Sequence, residues 1–119
     1  MTDPTPQDLR ARFATRLTAE LADLRTASAE TTTDRAPVEL DQQSVGRLSR
    51  MDAMQGQAMA AAVDGRRQGR ARAIEAALVR LAGDDFGWCD ACGEFIGIKR
   101  LDLDPIVTRC ISCAGGVHR

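Results

Sequence analysis

Three features of the sequence predict a mainly α-helical chain, an antiparallel two-helix coiled-coil hairpin followed by a small C-terminal four-cysteine module. Aromatic residues are only 3% of the 119, three Phe, one Trp and no Tyr, and the 44% apolar share leans on alanine and leucine. That composition cannot fill a broad core and suits the narrow seam between helices. Large apolar residues recur at steps of four and three near the start of the chain, and all four cysteines fall between positions 89 and 113.

Residues 1–7 hold Pro4 and Pro6 among polar neighbours and read as a flexible N-terminus. The helical hairpin is expected over residues 8–82. Its first helix carries Leu9, Phe13, Leu17, Leu21 and Leu24 on one continuous stripe, with Arg10, Arg12, Arg16, Glu20, Asp23 and Arg25 mostly off it. From Ser28 to Thr33 hydroxyl and β-branched residues compete for backbone hydrogen bonds, and Pro37 prevents continuation. A connection over about residues 30–41 follows, with Glu30, Asp34, Glu39 and Asp41 against Arg35 alone. The second helix opens near Asp41, a suitable N-cap, and runs through Val45, Leu48, Met51, Met54 or Gln55, Ala58, Met59, Ala62, Ile74, Ala77, Leu78 and Leu81 to Gly83. Roughly 40 residues at 1.5 Å each would span about 60 Å, so part of this helix projects or lies along the first as an antiparallel hairpin. Gly56, Gly65 and Gly69 within it either permit close approach or a bend, or are tolerated where packing overrides propensity. The run Arg66, Arg67, Arg70, Arg72 is either a solvated face or a docking patch.

Residues 83–119 form the cysteine module and a short tail. Cys89 with Cys92 and Cys110 with Cys113 are two Cys-x-x-Cys pairs separated by seventeen residues, 93 to 109. A structural zinc site needs this spacing, because each tight turn supplies two corners of a tetrahedron of thiolates. A redox Cys-x-x-Cys or a pair of disulfides would not explain why one short window contains both pairs and every cysteine. Gly87, Gly93 and Gly97 suit tight ligand turns, and Ile96, Ile98, Leu101, Leu103, Ile106 and Val107 offer a small core over the metal. Such a core needs the metal, which contributes on the order of 10 kcal/mol to folds of this kind. Four thiolates leave no open coordination position, and His118 is expected to be a tail residue, so the reading is structural zinc and no enzyme.

Sixteen basic against seventeen acidic residues give a formal net charge of -1, so no positive field draws the chain to nucleic acid. No apolar run is long enough for a membrane span, and MTDPTPQDLR has acid and proline where a signal peptide needs basic and then apolar residues. A cytoplasmic location is expected, where thiols stay reduced and available to metal.

From Asp85 to Cys113 the sequence DFGWCDACGEFIGIKRLDLDPIVTRCISC resembles the zinc finger of the DksA/TraR family. The likeness includes Phe86-Gly-Trp88, Cys89-x-x-Cys-Gly93, the Ile-Gly-Ile-basic-Arg-Leu run from Ile96 to Leu101, Pro105, and Cys110 with Cys113. The upstream hairpin is similar to the family's coiled coil in arrangement and only loosely in residues. The resemblance implies a non-catalytic transcription regulator, part of the stringent response, that binds RNA polymerase and inserts an acidic-tipped coiled coil through the secondary channel to alter promoter open complexes.

Three departures qualify what the resemblance implies. The founding member's tip pattern, Asp-x-x-Asp-x-Ala, is matched here by Asp34-Arg35-Ala36 with Thr31 in place of the first acid, or by Asp41 alone in the stretch to Gly46. Asp34 and Asp41 are therefore the tip candidates, and Asp41 reads equally as a helix cap. Family contacts to guanosine tetraphosphate use basic residues just before the finger's proline and just after its last cysteine; Asp104 and Ala114 stand there, implying a weakened or absent response. The family's C-terminal helix has no counterpart in AGGVHR. Arg66, Arg67 and Arg70 are candidate polymerase-docking residues. The competing reading is a zinc ribbon that binds nucleic acid directly through Lys99, Arg100 and Arg109, although Asp90, Glu94, Asp102 and Asp104 share the module and no aromatic platform accompanies them.

Overall fold

The computed structural model describes residues 3–36 and 47–115, without the side chains of residues 47 and 48. Asp41, Pro37, Val45 and His118 lie outside the described residues. Helix α1 spans Pro6–Glu30, α2 Thr32–Arg35, α3 Arg47–Ala82, α4 Ile98–Leu103 and α5 Ile111–Ala114. Among the described residues there is no strand, and one isolated antiparallel bridge joins Trp88 to Phe95. The chain divides into two compact units, residues 1–21 with 72–119 and residues 22–71, each with a part of both long helices.

Helix α1 begins two residues earlier than the sequence suggests. The Thr5 amide donates to Asp8 Oδ2 at 3.0 Å and the Asp8 amide to Thr5 Oγ1 at 3.1 Å, a reciprocal cap. Pro6 then occupies the first helical position, where its missing N–H costs nothing. The helix also outlasts the expected break at Ser28. Thr31 Oγ1 donates to the Ala27 carbonyl at 2.9 Å and Thr32 Oγ1 to that of Ala29 at 2.9 Å, so the hydroxyls bond backwards and the chain makes a further helical turn, α2.

In the first unit the expected stripe is the core. Leu9, Phe13 and Leu17 of α1 meet Ile74, Ala77 and Leu81 of α3, with Phe86 and Leu101 closing the end, and all are buried. Phe13 and Phe86 stack at 5.4 Å between ring centroids. The end of α3 is tied back antiparallel to the start of α1, because the Arg10 guanidinium donates to the carbonyls of Leu81 at 2.8 Å, Ala82 at 3.3 Å and Gly83 at 3.2 Å. These are carbonyls that the helix itself leaves unpaired.

The second unit departs from the sequence reading. Met51, Met54 and Met59 are 48%, 54% and 70% exposed, and Ala58 and Ala62 are exposed too, so the stripe expected over 51–62 does not face α1. The covered side of α3 here follows Gln57, Ala60, Asp64, Arg67 and Ala71, also at helical spacing, and it meets Ser28 and Thr31 through Asp64 and Arg67. Its centre is polar: Ser28 Oγ donates to Asp64 Oδ1 at 2.6 Å, and both residues are buried. Periodicity of apolar residues alone could not choose between the two faces.

The Ser28 hydroxyl holds the Asp64 carboxyl below its ordinary 3.8, burial opposes it, and Gln68, Arg35 and Arg67 add to the lowering. A depressed folded-state value means that the stabilisation is present above the unfolded value and is lost as pH falls through the folded one. Ser28→Ala is expected to raise the Asp64 titration midpoint, followed by carboxyl NMR. An unmoved midpoint would show that the hydroxyl is not its main support.

Candidate metal centre

Two knuckles present the cysteines. At the first, the Cys89 amide donates to the Glu94 carbonyl at 2.8 Å and the Gly93 amide to the Cys89 carbonyl at 2.9 Å, a turn that requires Gly93 at φ 77°. At the second, Cys110 precedes α5, and the Ala114 amide donates to its carbonyl at 2.9 Å. A 2.8 Å bond from the Asp90 amide to the Thr108 carbonyl fixes one knuckle against the other. Gly87, at φ 91°, holds the Ile96 amide on its carbonyl at 2.7 Å, and a Cβ there would meet Phe95 at 3.0 Å. Conformation and space both exclude a side chain at that position.

The Sγ atoms of Cys89, Cys92, Cys110 and Cys113 all lie within 4.8 Å of one another, and the Cys92 and Cys110 sulfurs are 3.7 Å apart. Thiolates about 2.3 Å from a tetrahedral zinc stand roughly 3.8 Å from each other, whereas a disulfide needs about 2 Å. The four sulfurs therefore fit a tetrahedral metal. Burial works against the Cys89 thiolate, but amide donors from Cys110, Cys92 and Ala91 outweigh it and bring the thiol down to about 6. At Cys92 the Glu94 amide is outweighed by burial and neighbouring sulfurs, and the thiol is raised. Burial, then the other three sulfurs, pushes Cys113 up. A divalent cation among them would reverse that crowding.

The finger is seated on α1 through α4. Leu101 is fully buried, Arg12 forms a two-pronged pair with Asp102, its Nε donating to Oδ1 at 2.9 Å, and Arg16 donates to the Asp102 carbonyl at 2.7 Å. Arg12 and Arg16 lie off the apolar stripe, where the sequence assigns them no partner; their spacing of four residues is the one signal. Of the small core expected over the metal, Ile96 and Leu101 are buried, while Leu103 is 85% exposed. Asp104 accepts from the Ile106 amide at 3.3 Å, and Ala114 is exposed. In the other unit Asp34 is exposed on α2 and Arg66 is exposed, but Arg67 turns to Asp64 Oδ1 at 3.7 Å and to Thr31 Oγ1 at 3.2 Å, and Arg70 is half-buried.

Fold and site together define a helical protein with a four-cysteine finger, and the comparisons agree. Residues 84–118 match the prokaryotic dksA/traR C4-type zinc finger family. The chain is 58% identical over 40 residues to the RNA polymerase-binding transcription factor DksA of Haemophilus influenzae, a match covering 34% of this chain and 28% of that protein. It is 45% identical over 40 residues to the same factor of Escherichia coli K12, covering 34% and 26%. The matched stretch is thus little more than a quarter of these relatives' length. A solved structure of transcription factor DksA2 from Pseudomonas aeruginosa shares the fold at a TM-score of 0.69 and 24% identity, over 98% of this chain and 84% of that one. The matches identify residues 84–118 as a finger of the dksA/traR C4 type, and beyond it the likeness is one of fold.

Purified under reducing conditions, the protein is expected to carry one zinc per chain, and Cys110→Ser to lose it together with the order of the finger. Metal analysis and amide exchange over residues 86–115 check this. Full zinc content in the variant would remove Cys110 from the ligand set.

Proposed function

We propose that this chain is a non-catalytic regulator of transcription that binds RNA polymerase, passes its helical hairpin into the secondary channel, and alters promoter open complexes through the acidic connection between its long helices. The observation that carries this reading is the pairing of a four-sulfur finger of the dksA/traR type with a helical body that shares its fold with DksA2 over nearly the whole chain. Zinc, held by Cys89, Cys92, Cys110 and Cys113, has a structural part: it ties the two knuckles together and supplies no reaction.

In this reading the connection acts, and the docking candidates are the arginines Arg66, Arg67 and Arg70 of α3. Asp34, exposed on α2, is the described acidic candidate, and Asp41 is the second. Acidic side chains there would act on bound metal, nucleic acid or mobile polymerase segments by charge. Arg66 is the exposed member of the candidate docking trio, while Arg67 is engaged within its own unit. Asp104 before Pro105 opposes a polyphosphate, which supports a weak alarmone response. For cellular location, no described helix is long and apolar enough to cross a membrane, and a cytoplasmic regulator remains the proposal.

Direct nucleic-acid binding by the finger is the less favoured reading, because two of its three basic residues are engaged internally. Arg109 Nε donates to Asp90 Oδ1 at 3.2 Å, and Arg100 Nε donates to the Arg109 carbonyl at 3.0 Å. A gel shift with the protein alone is expected to show no strong, salt-sensitive DNA binding, and the opposite result would favour this second reading.

The lifetime of open complexes on a ribosomal promoter tests the proposal. Wild-type protein is expected to change it, and Asp34→Asn or Asp41→Asn to reduce that change by about tenfold where the carboxylate acts directly, without loss of polymerase binding. Adding guanosine tetraphosphate is expected to have little further effect. An unchanged lifetime with wild-type protein would end the regulatory reading.

A further inference from the structure

The regulatory reading makes no use of the polar cluster at the centre of the second unit. Asp64 is 7% exposed in the middle of a two-helix seam, where a carboxylate is costly unless it is paired. Its Oδ1 receives Ser28 Oγ at 2.6 Å, Arg35 Nη1 at 3.2 Å and Arg67 Nη1 at 3.7 Å, and its Oδ2 receives Gln68 Nε2 at 3.5 Å. Three of these partners lie on the long helices themselves. Arg35 alone comes from α2.

Helix α2 has little else to hold it. It is four residues long, has no buried residue, and its N-cap Thr31 makes no side-chain capping bond. Local hydroxyl bonds continue the turn from α1, and among the described contacts the ties across to α3 are Arg35 on Asp64, Gln57 Nε2 on the Arg35 carbonyl at 3.4 Å and, at the N-cap, Arg67 Nη1 on Thr31 Oγ1 at 3.2 Å. The same Arg35 Nη1 reaches the Ser28 carbonyl at 2.9 Å and Thr31 Oγ1 at 3.1 Å, so its position relative to the end of α1 is defined from several sides. Asp34 is its immediate neighbour and faces solvent. A cluster with one satisfied arrangement specifies register in a way that alanine packing cannot.

We propose that Asp64 and Arg35 are positioning residues: the buried carboxylate, steadied by Ser28, Gln68 and Arg67, anchors α2 through Arg35 and so sets where the Asp34 carboxylate stands. The part concerning Asp34 rests on the regulatory reading above; the anchoring of α2 does not. The electrostatic link is intramolecular and short, and it acts on the tip without touching polymerase.

Arg35→Gln and Asp64→Asn, singly and together, test this in the full-length, zinc-loaded protein. Arg35 is partly exposed, so Arg35→Gln removes the tie to α2 while Ser28, Gln68 and Arg67 still face the carboxylate, and it guards against a fold defect in Asp64→Asn. Amide exchange over residues 31–36 is expected to quicken about tenfold in each single variant, with exchange at Phe13 to Leu17 unchanged and the double variant no faster than the singles. Polymerase affinity is expected to stay within about twofold while the effect on open-complex lifetime falls about fivefold, a split that a general loss of stability would not produce. Unchanged exchange over 31–36 in both variants, or additive effects in the double, overturns the anchoring. Faster exchange with an undiminished effect on open complexes overturns the positioning of Asp34. If wild-type protein has no effect on polymerase, the regulatory reading fails by itself, and the exchange measurements still uphold or overturn the anchor.

Discussion

Four thiols held within 4.8 Å of one another are the constraint on which the C-terminal module depends. Neutral, they could pack as small apolar groups; ionised together, they repel. The backbone around them favours the ionised form at one site, because amides of both knuckles point at Cys89. The Cys92 and Cys113 thiols are pushed the other way. A cation at the centre would resolve the two tendencies, which suits a metal site. The hydrophobic residues near it are too few to change that balance, since Ile96 and Leu101 are buried while Leu103 and Ile111 face solvent.

The module then has to be attached to the helices, and apolar and charged contacts divide that task. Phe13 and Phe86 meet at the junction, each removing a large apolar surface from water, worth about 1.5 to 3 kcal/mol for a full side chain. Dispersion and burial have little directional preference. The arginine contacts do. Arg10 reads three successive carbonyls at the end of α3, and Arg12 and Arg16 grip the Asp102 side chain and carbonyl. With helix ends supplying the acceptors in one case and a carboxylate in the other, the finger is fixed in orientation as well as in place.

What was legible in the sequence follows the same division. The stripe Leu9, Phe13, Leu17 could be read because large apolar residues at helical spacing have few other uses, and the cysteine spacing could be read because two turns and four thiols leave little choice of chemistry. Met51, Met54, Ala58 and Ala62 satisfied the same periodic test and are exposed. The covered face beside them carries Gln57, Asp64 and Arg67, which a hydropathy pattern scores as solvent-facing. Ser28 has the propensity of a residue that ends a helix, yet its hydroxyl is the main support of a buried carboxylate. A polar seam is invisible to a search for apolar period because its partners are 36 residues apart in the chain and only the folded pair makes either of them a core residue.

The two kinds of seam have different tolerances. In an apolar seam a leucine exchanged for methionine or isoleucine keeps most of its energy, because burial depends on area and only weakly on shape. In the polar seam even the exchange of arginine for lysine moves the charge. Arg35 Nη1 stands 2.9 Å from the Ser28 carbonyl, 3.1 Å from Thr31 Oγ1 and 3.2 Å from Asp64 Oδ1, a point that an ammonium on a shorter, more flexible stem would have to reach by other rotamers. The second unit therefore trades tolerance for definition. Under the proposed positioning of Asp34 that trade is intelligible for a short helix with no buried residue, and it places the restraint on the unit's sequence in its charged residues, while Met51, Met54 and Met59 stay about half or more exposed.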